Sequence, residues 1–178
     1  TDDQTPSFWG RYDRVLATNS LSKAYGLPGL RIGWVVAPTG IRDDIWRRHE
    51  YTTISATMLS NRLAAAALSP EIRPHLMHSV RDYIRRGYAI FEQWLEDHEG
   101  VFSLVPPKAA AIAFPRYHLN VSSTDLVDRL IREKSVLVPP VEHFGIDRHL
   151  RISFGLPPDY LRPALDRIHE LIVEHQRG

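Results

Sequence analysis

Between Arg14 and Pro38 two short apolar runs flank a polar loop, and this arrangement narrows the fold more than any other part of the chain. "RVLAT" (Arg14–Thr18) has the length and aliphatic content of a short buried strand. "RIGWVVAP" (Arg31–Pro38) reads as a second strand, stopped by Pro38 and Gly40. The loop between them, "NSLSKAYGLPGL", holds Gly26, Pro28 and Gly29, which suit a tight reversal. In an α/β protein such loops carry side chains to the carboxyl edge of the sheet, where ligands bind.

The rest of the chain divides by texture. Arg42–Glu50 and Leu59–Leu68 read as helices, the second ending at Ser69-Pro70. A long helix is expected from about Ile72 to near Gly100, with Val80, Tyr83, Ile84, Phe91, Trp94 and Leu95 at helical spacing. A helix that long often links two domains. After Gly100 the pattern becomes α+β. "VFSLV", "AAIAF" and "VLV" (Val136–Val138) read as strands, each followed by proline. Ser122 or Ser123 caps a helix with Leu126, Val127, Leu130 and Ile131 on one face. In "LRISF", Leu150, Ile152 and Phe154 point one way and Arg151 and Ser153 the other. The last helix carries Leu161, Leu165, Ile168, Leu171 and Ile172 as an apolar stripe, with Pro163 in its first turns.

Composition excludes several classes. A net charge of +1 gives no electrostatic basis for binding nucleic acid or an acidic membrane. The absence of cysteine rules out a disulfide framework and thiolate metal sites, and it suits a cytoplasmic protein. No apolar run approaches the roughly 20 residues that span a bilayer. The acidic, polar start "TDDQTPSFWG" is unlike a signal peptide. His75 and His78 could share a helix face, but two histidines make no metal site, so none is expected. His118, His143 and His149 accompany no readable nucleophile motif, and Trp9, Trp34, Trp46 and Trp94 read as core or interface residues.

The loop after the first strand has more specific chemistry. Ser20 and Ser22 offer hydroxyl donors, and Arg31 offers a planar two-donor fork, a set that suits a phosphate. Lys23 adds an amine, whose neutral form is favoured by burial and by a neighbouring cation. A phosphate clamp beside a reactive amine is what pyridoxal phosphate requires. The spacing is no Walker loop, since the two glycines before the lysine are missing. Taken alone, two serines, a lysine and a glycine-bearing turn also fit a solvated surface loop.

"SLSKAYGLPGLRIGW" (20–34) resembles the cofactor-lysine signature of the class I/II, aspartate aminotransferase-like enzymes of fold type I. The resemblance implies that Lys23 is the Schiff-base lysine and that Ser20, Ser22 and Arg31 hold the phosphate. Gly26, Gly29 and Gly33 match turn and close-packing positions, and Tyr25 a packing position. "LRISFG" resembles the family segment whose arginine grips the substrate α-carboxylate, which implies that role for Arg151. "VLVPPVEHFG" resembles the preceding segment, with Pro140 where a glycine is usual. "YTTISATMLSNRLAAAAL" resembles the interdomain segment, where Thr53 or Ser55 approaches the site or, more often, caps a helix.

The resemblance implies an α/β fold: the end of the fold type I cofactor-binding large domain (1–70), an interdomain helix (71–100) and a C-terminal α+β small domain (101–178). It implies a pyridoxal-phosphate-dependent aminotransferase acting on an α-amino acid and a 2-oxo acid, homodimeric at full length. Family relatives carry out eliminations and cyclisations of amino acids, including arginine-derived building blocks of peptide antibiotics. Others serve as effector-binding domains of transcription regulators. The chain corresponds to about the second half of the family fold, so it is expected to be a piece, inactive alone. The family's pyridine-nitrogen carboxylate and ring-stacking aromatic are not placed here; Asp2, Asp3 and Asp13 match no motif.

Overall fold

The computed structural model describes residues 5–177, so Asp2 and Asp3 lie outside the described residues. The chain forms two compact units, 1–81 and 82–178, with the boundary inside one helix.

In the first unit, β1 (Ala17–Ser20) pairs antiparallel with β2 (Gly33–Val36) in the register Ala17↔Val36 to Ser20↔Gly33. β1 begins later than the apolar run suggests, and it is not buried: Leu16 stays 50% exposed. The physical reason is that the ribbon has two strands only among the described residues, so its faces lack covering layers. α1 (Thr39–Thr52) starts directly after Pro38, and α2 (Met58–Ala67) turns its small Ala64 and Ala67 inward. α3 (Arg73–Glu96) spans the boundary between the units. A small core forms from Leu21, Tyr25 and Ala64, with Leu27, Leu30, Ile32, Trp34, Leu68 and Met77 packed against it.

The second unit has the larger core. β3 (Phe102–Ser103) pairs with β5 (Arg116–Tyr117), and β4 (Ile112–Ala113) pairs with β6 (Ile152–Ser153), both antiparallel. α4 (Ser123–Lys134) and α5 (Pro158–Arg177) pack on each other, and Lys134 bridges from one to Glu170 and Glu174 of the other. Phe91 stacks on Phe154, with ring centroids 6.0 Å apart, and on Trp94. The stripe Leu161, Leu165, Ile168, Leu171 and Ile172 is buried throughout, as its spacing predicts. Ser122 is the N-cap of α4, its hydroxyl accepting from the Asp125 N–H at 3.0 Å.

Three expectations need correction. Val136–Val138 is not a strand: both valines are buried and Leu137 is 79% exposed, but the backbone finds no ladder partner. The segment follows a left-handed Ser135 at the end of α4, and pairing resumes only at a bridge from Pro140 to Leu150. Ile131 is 43% exposed, leaving the apolar face of α4 to Leu126, Val127 and Leu130. Pro163 lies inside α5, beyond the first turn, because the helix already begins at Pro158.

Candidate active site

β1 delivers the chain into the loop that carries Lys23. Leu21 is fully buried, so its neighbours Ser20 and Ser22 project differently from it and remain partly accessible. The loop closes on itself: the Leu27 N–H donates to Leu21 O at 2.9 Å, Gly26 N–H to Lys23 O at 3.1 Å, and Leu21 N–H to Ile32 O at 3.1 Å. Ser22 N–H donates to Ser20 Oγ at 3.3 Å, which leaves the Ser20 hydroxyl proton free to donate elsewhere. Lys23 is exposed, so these residues alone do not supply the desolvation expected for its amine.

Arg31 follows a short turn of 3-10 helix, Pro28–Leu30. Its φ of 54° is left-handed, a conformation uncommon for a residue with a side chain. Such strain concentrates at functional sites, where the surroundings enforce it. Here the Arg31 N–H donates to Pro28 O, and the guanidinium Nη1 donates to the same carbonyl at 2.8 Å. That double tie fixes the fork and leaves its other N–H groups for a ligand. Gly33 lies opposite Ser20. A Cβ on Gly33 would come within 3.0 Å of Asn19 O and 3.3 Å of Ser20 Cβ, so a side chain there would press β2 away from the serine strand by a few tenths of an ångström.

Ser20, Ser22, Lys23 and Arg31 thus share one loop and ribbon of the first unit. Arg151 belongs to the second unit, half-buried just before β6, opposite the buried Leu150, Ile152 and Phe154. Tyr25 is buried, and its hydroxyl accepts from Arg73 Nε at 3.2 Å. Sequence reading does not find this tie, since 48 residues separate the partners. Thr53 is the C-cap of α1. His75 and His78 lie on α3, and among the described residues no group of three metal-ligating side chains occurs. Nor is any described helix long and apolar enough to cross a membrane.

The sequence model of the family "Aminotransferase class I and II" matches residues 2–168. The chain belongs to that family. Among its relatives, capreomycidine synthase of Streptomyces vinaceus is 37% identical over 169 residues, covering 93% of this chain and 42% of that protein. Among solved structures, a PLP-dependent aminotransferase from Streptococcus suis 89-1591 superposes with a TM-score of 0.89 at 28% identity, covering 98% of this chain and 46% of that one. The PLP-dependent cyclase OrfR superposes with a TM-score of 0.79 at 25% identity, covering 89% and 43%. The chain therefore spans less than half the length of these proteins, and its fold is part of the fold type I architecture. The family and its neighbours imply pyridoxal phosphate as cofactor. The donor set fits that group: two hydroxyls, a tethered guanidinium fork and an accessible amine lie on one loop, beside a glycine that keeps the backbone approach open.

Proposed function

We propose that these residues serve a pyridoxal-phosphate-dependent aminotransferase that moves an amino group between an α-amino acid and a 2-oxo acid. The observation that carries the reading is the loop 20–33, which combines a phosphate-type donor set, a strained and tethered Arg31 and a free amine on Lys23. In this reading residues 1–70 are part of the cofactor-binding large domain, 71–100 the interdomain helix and 101–178 the small domain. The remainder of the family fold is supplied by polypeptide outside these 178 residues, because the relatives are more than twice as long. The chain alone is then inactive, and the complete enzyme is a cytoplasmic homodimer.

Each residue has a distinct task. Ser20, Ser22 and Arg31 neutralise and orient the cofactor phosphate. Lys23 holds the cofactor covalently at rest. Bound there, the cofactor serves as the electron sink for the substrate α-carbon. Arg151 would pair with the substrate carboxylate and so orient the bound amino acid. The Lys23 amine would act as the base that takes the proton from the substrate α-carbon and as the acid that gives it back.

A second reading keeps the same residues and changes the outcome: cyclisation of an amino acid. The 37% identity to capreomycidine synthase and the likeness to the cyclase OrfR support it. One experiment separates the cases. The full-length polypeptide carrying these residues is supplied with L-aspartate, L-phenylalanine or L-arginine and a 2-oxo acid. Formation of a new amino acid supports transamination; a cyclic product without amino transfer supports the second reading. Lys23→Ala should abolish both the visible absorbance of the lysine-bound cofactor and turnover. Retained colour and turnover would sink both readings. Arg31→Ala should chiefly weaken cofactor retention, and Arg151→Ala substrate binding.

A further inference from the structure

Ser123 is fully buried, although its side chain is polar. A buried hydroxyl persists where it is hydrogen-bonded. Ser123 sits in the first turn of α4 and reaches both ends of the loop 141–149. Its backbone N–H donates to Asp147 Oδ1 at 2.9 Å. Its Oγ accepts from the Glu142 N–H at 3.2 Å and lies 3.3 Å from Glu142 Oε2, to which it donates. Thr124, the next residue, donates from its hydroxyl to the other Glu142 oxygen.

The loop so held leads directly into Arg151. Its two ends meet at the bridge between Pro140 and Leu150. Arg151 is therefore flanked on one edge by the loop entry, which Ser123 holds. On the other edge it is flanked by the β4 side, through Leu150 N–H to Pro115 O at 3.0 Å and Phe154 N–H to Ala111 O at 3.0 Å. The β4 edge is laddered by backbone alone; at the loop edge the side chains of Ser123 and Thr124 tie Glu142 to α4, beside the backbone bridge from Pro140 to Leu150 and the Tyr117 N–H bond to Arg148 O.

We propose that Ser123 is a positioning residue for Arg151: it clamps the loop 141–149 and thereby holds the carboxylate-binding arginine in register. This rests on the reading of Arg151 as the substrate-carboxylate ligand. Removing the hydroxyl frees the Glu142 N–H and loosens the Pro140 edge, while the β4 edge and the loop around Lys23 stay as they are. The loss falls on substrate affinity and leaves cofactor retention and the proton-transfer step intact.

The test uses the full-length polypeptide with L-aspartate, L-phenylalanine and L-arginine as donors. Ser123→Ala should raise KM for the donor used about fivefold, the value of one hydrogen bond of ordinary net strength, with kcat and cofactor retention unchanged. Glu142→Ala should act alike, and Glu142→Gln, which keeps an acceptor, should restore most of the affinity. Amide exchange should accelerate at Glu142 and stay unchanged at Phe154. Ser122→Ala controls for general destabilisation, since it removes the α4 cap and leaves the loop ties in place. A fivefold rise in KM for Ser122→Ala as well, or an unchanged KM for Ser123→Ala, would overturn the proposal alone. Failure of the wild type to bind any of the three donors would overturn the aminotransferase reading, and the proposal with it.

Discussion

Gly87 offers the sharpest test of how the second unit is packed. It is buried on α3, against the strand that continues from Arg151. A Cβ built there would lie 1.8 Å from Phe154 O and 3.0 Å from Phe154 C. Ordinary carbon–oxygen contact is about 3.3 Å, so helix and strand would have to part by about 1.5 Å. Neither can yield easily, because the obstacle is backbone and the Phe154 ring is stacked on Phe91 and meets Tyr88 edge to face. Overpacking of this kind costs about 3 kcal/mol or more when backbone must move. Alanine recovers about 1 kcal/mol through its better helix propensity. Gly87→Ala should therefore destabilise the unit by about 2 kcal/mol, roughly a 30-fold shift towards the open state. Native-state amide exchange at Phe91 and Leu165 reads this directly. Protection unchanged, or raised by the propensity gain, would refute the close approach of α3 to the strand.

Two further predictions concern pH. Burial first, then the nearby Asp147 and Glu142, push the Tyr117 phenol far above its ordinary value. The unfolded chain then releases this proton first, so stability falls as pH rises past about 10; Tyr117→Phe should remove that alkaline slope, at a cost of about 1 kcal/mol for the lost bond to Val121 O at 2.9 Å. Asp147 moves the opposite way, because backbone N–H bonds, from Ser123 above all, hold its carboxyl below the ordinary value. Its contribution is present above about pH 4 and is lost as pH falls through the lowered value. Asp147→Asn should flatten the acid limb of a denaturation series, and an unaltered limb would contradict the Ser123–Asp147 tie.

What the sequence discloses follows from how far apart the interacting residues lie. The stripe on α5 and the Ser122 cap are local patterns, and both appear where the spacing places them. Val136–Val138 has a strand's alternation, but a ladder needs a partner, and partnering is a tertiary fact. β5 goes unseen because Arg116–Tyr117 is short and follows Pro115, with nothing periodic about it. The candidate site divides on the same line. Ser20, Ser22, Lys23 and Arg31 are contiguous and so readable together. The Ser123 clamp joins residues 19 and 24 positions apart, and no local pattern announces it.

The two units also differ in what holds their chemistry in place. Arg151 is backed by a core that includes Phe91, Trp94, Leu150, Ile152 and Phe154. The lysine loop has a much smaller one, and its unit leaves Tyr51 96% and Ile54 76% exposed. An aromatic side chain buries about 150–250 Å² when covered, so each such residue left in solvent is unrealised stabilisation of several kcal/mol at about 25 cal/mol per Å². The local order of the loop must then come chiefly from within it. Leu21 is the residue that provides it. It is fully buried, and its N–H and C=O are bonded to Ile32 and Leu27. Leu21 is anchored inward at the end of β1, and Ser20 and Ser22 on either side of it stay only partly buried. The apolar residue between the two serines is what makes their hydroxyls available.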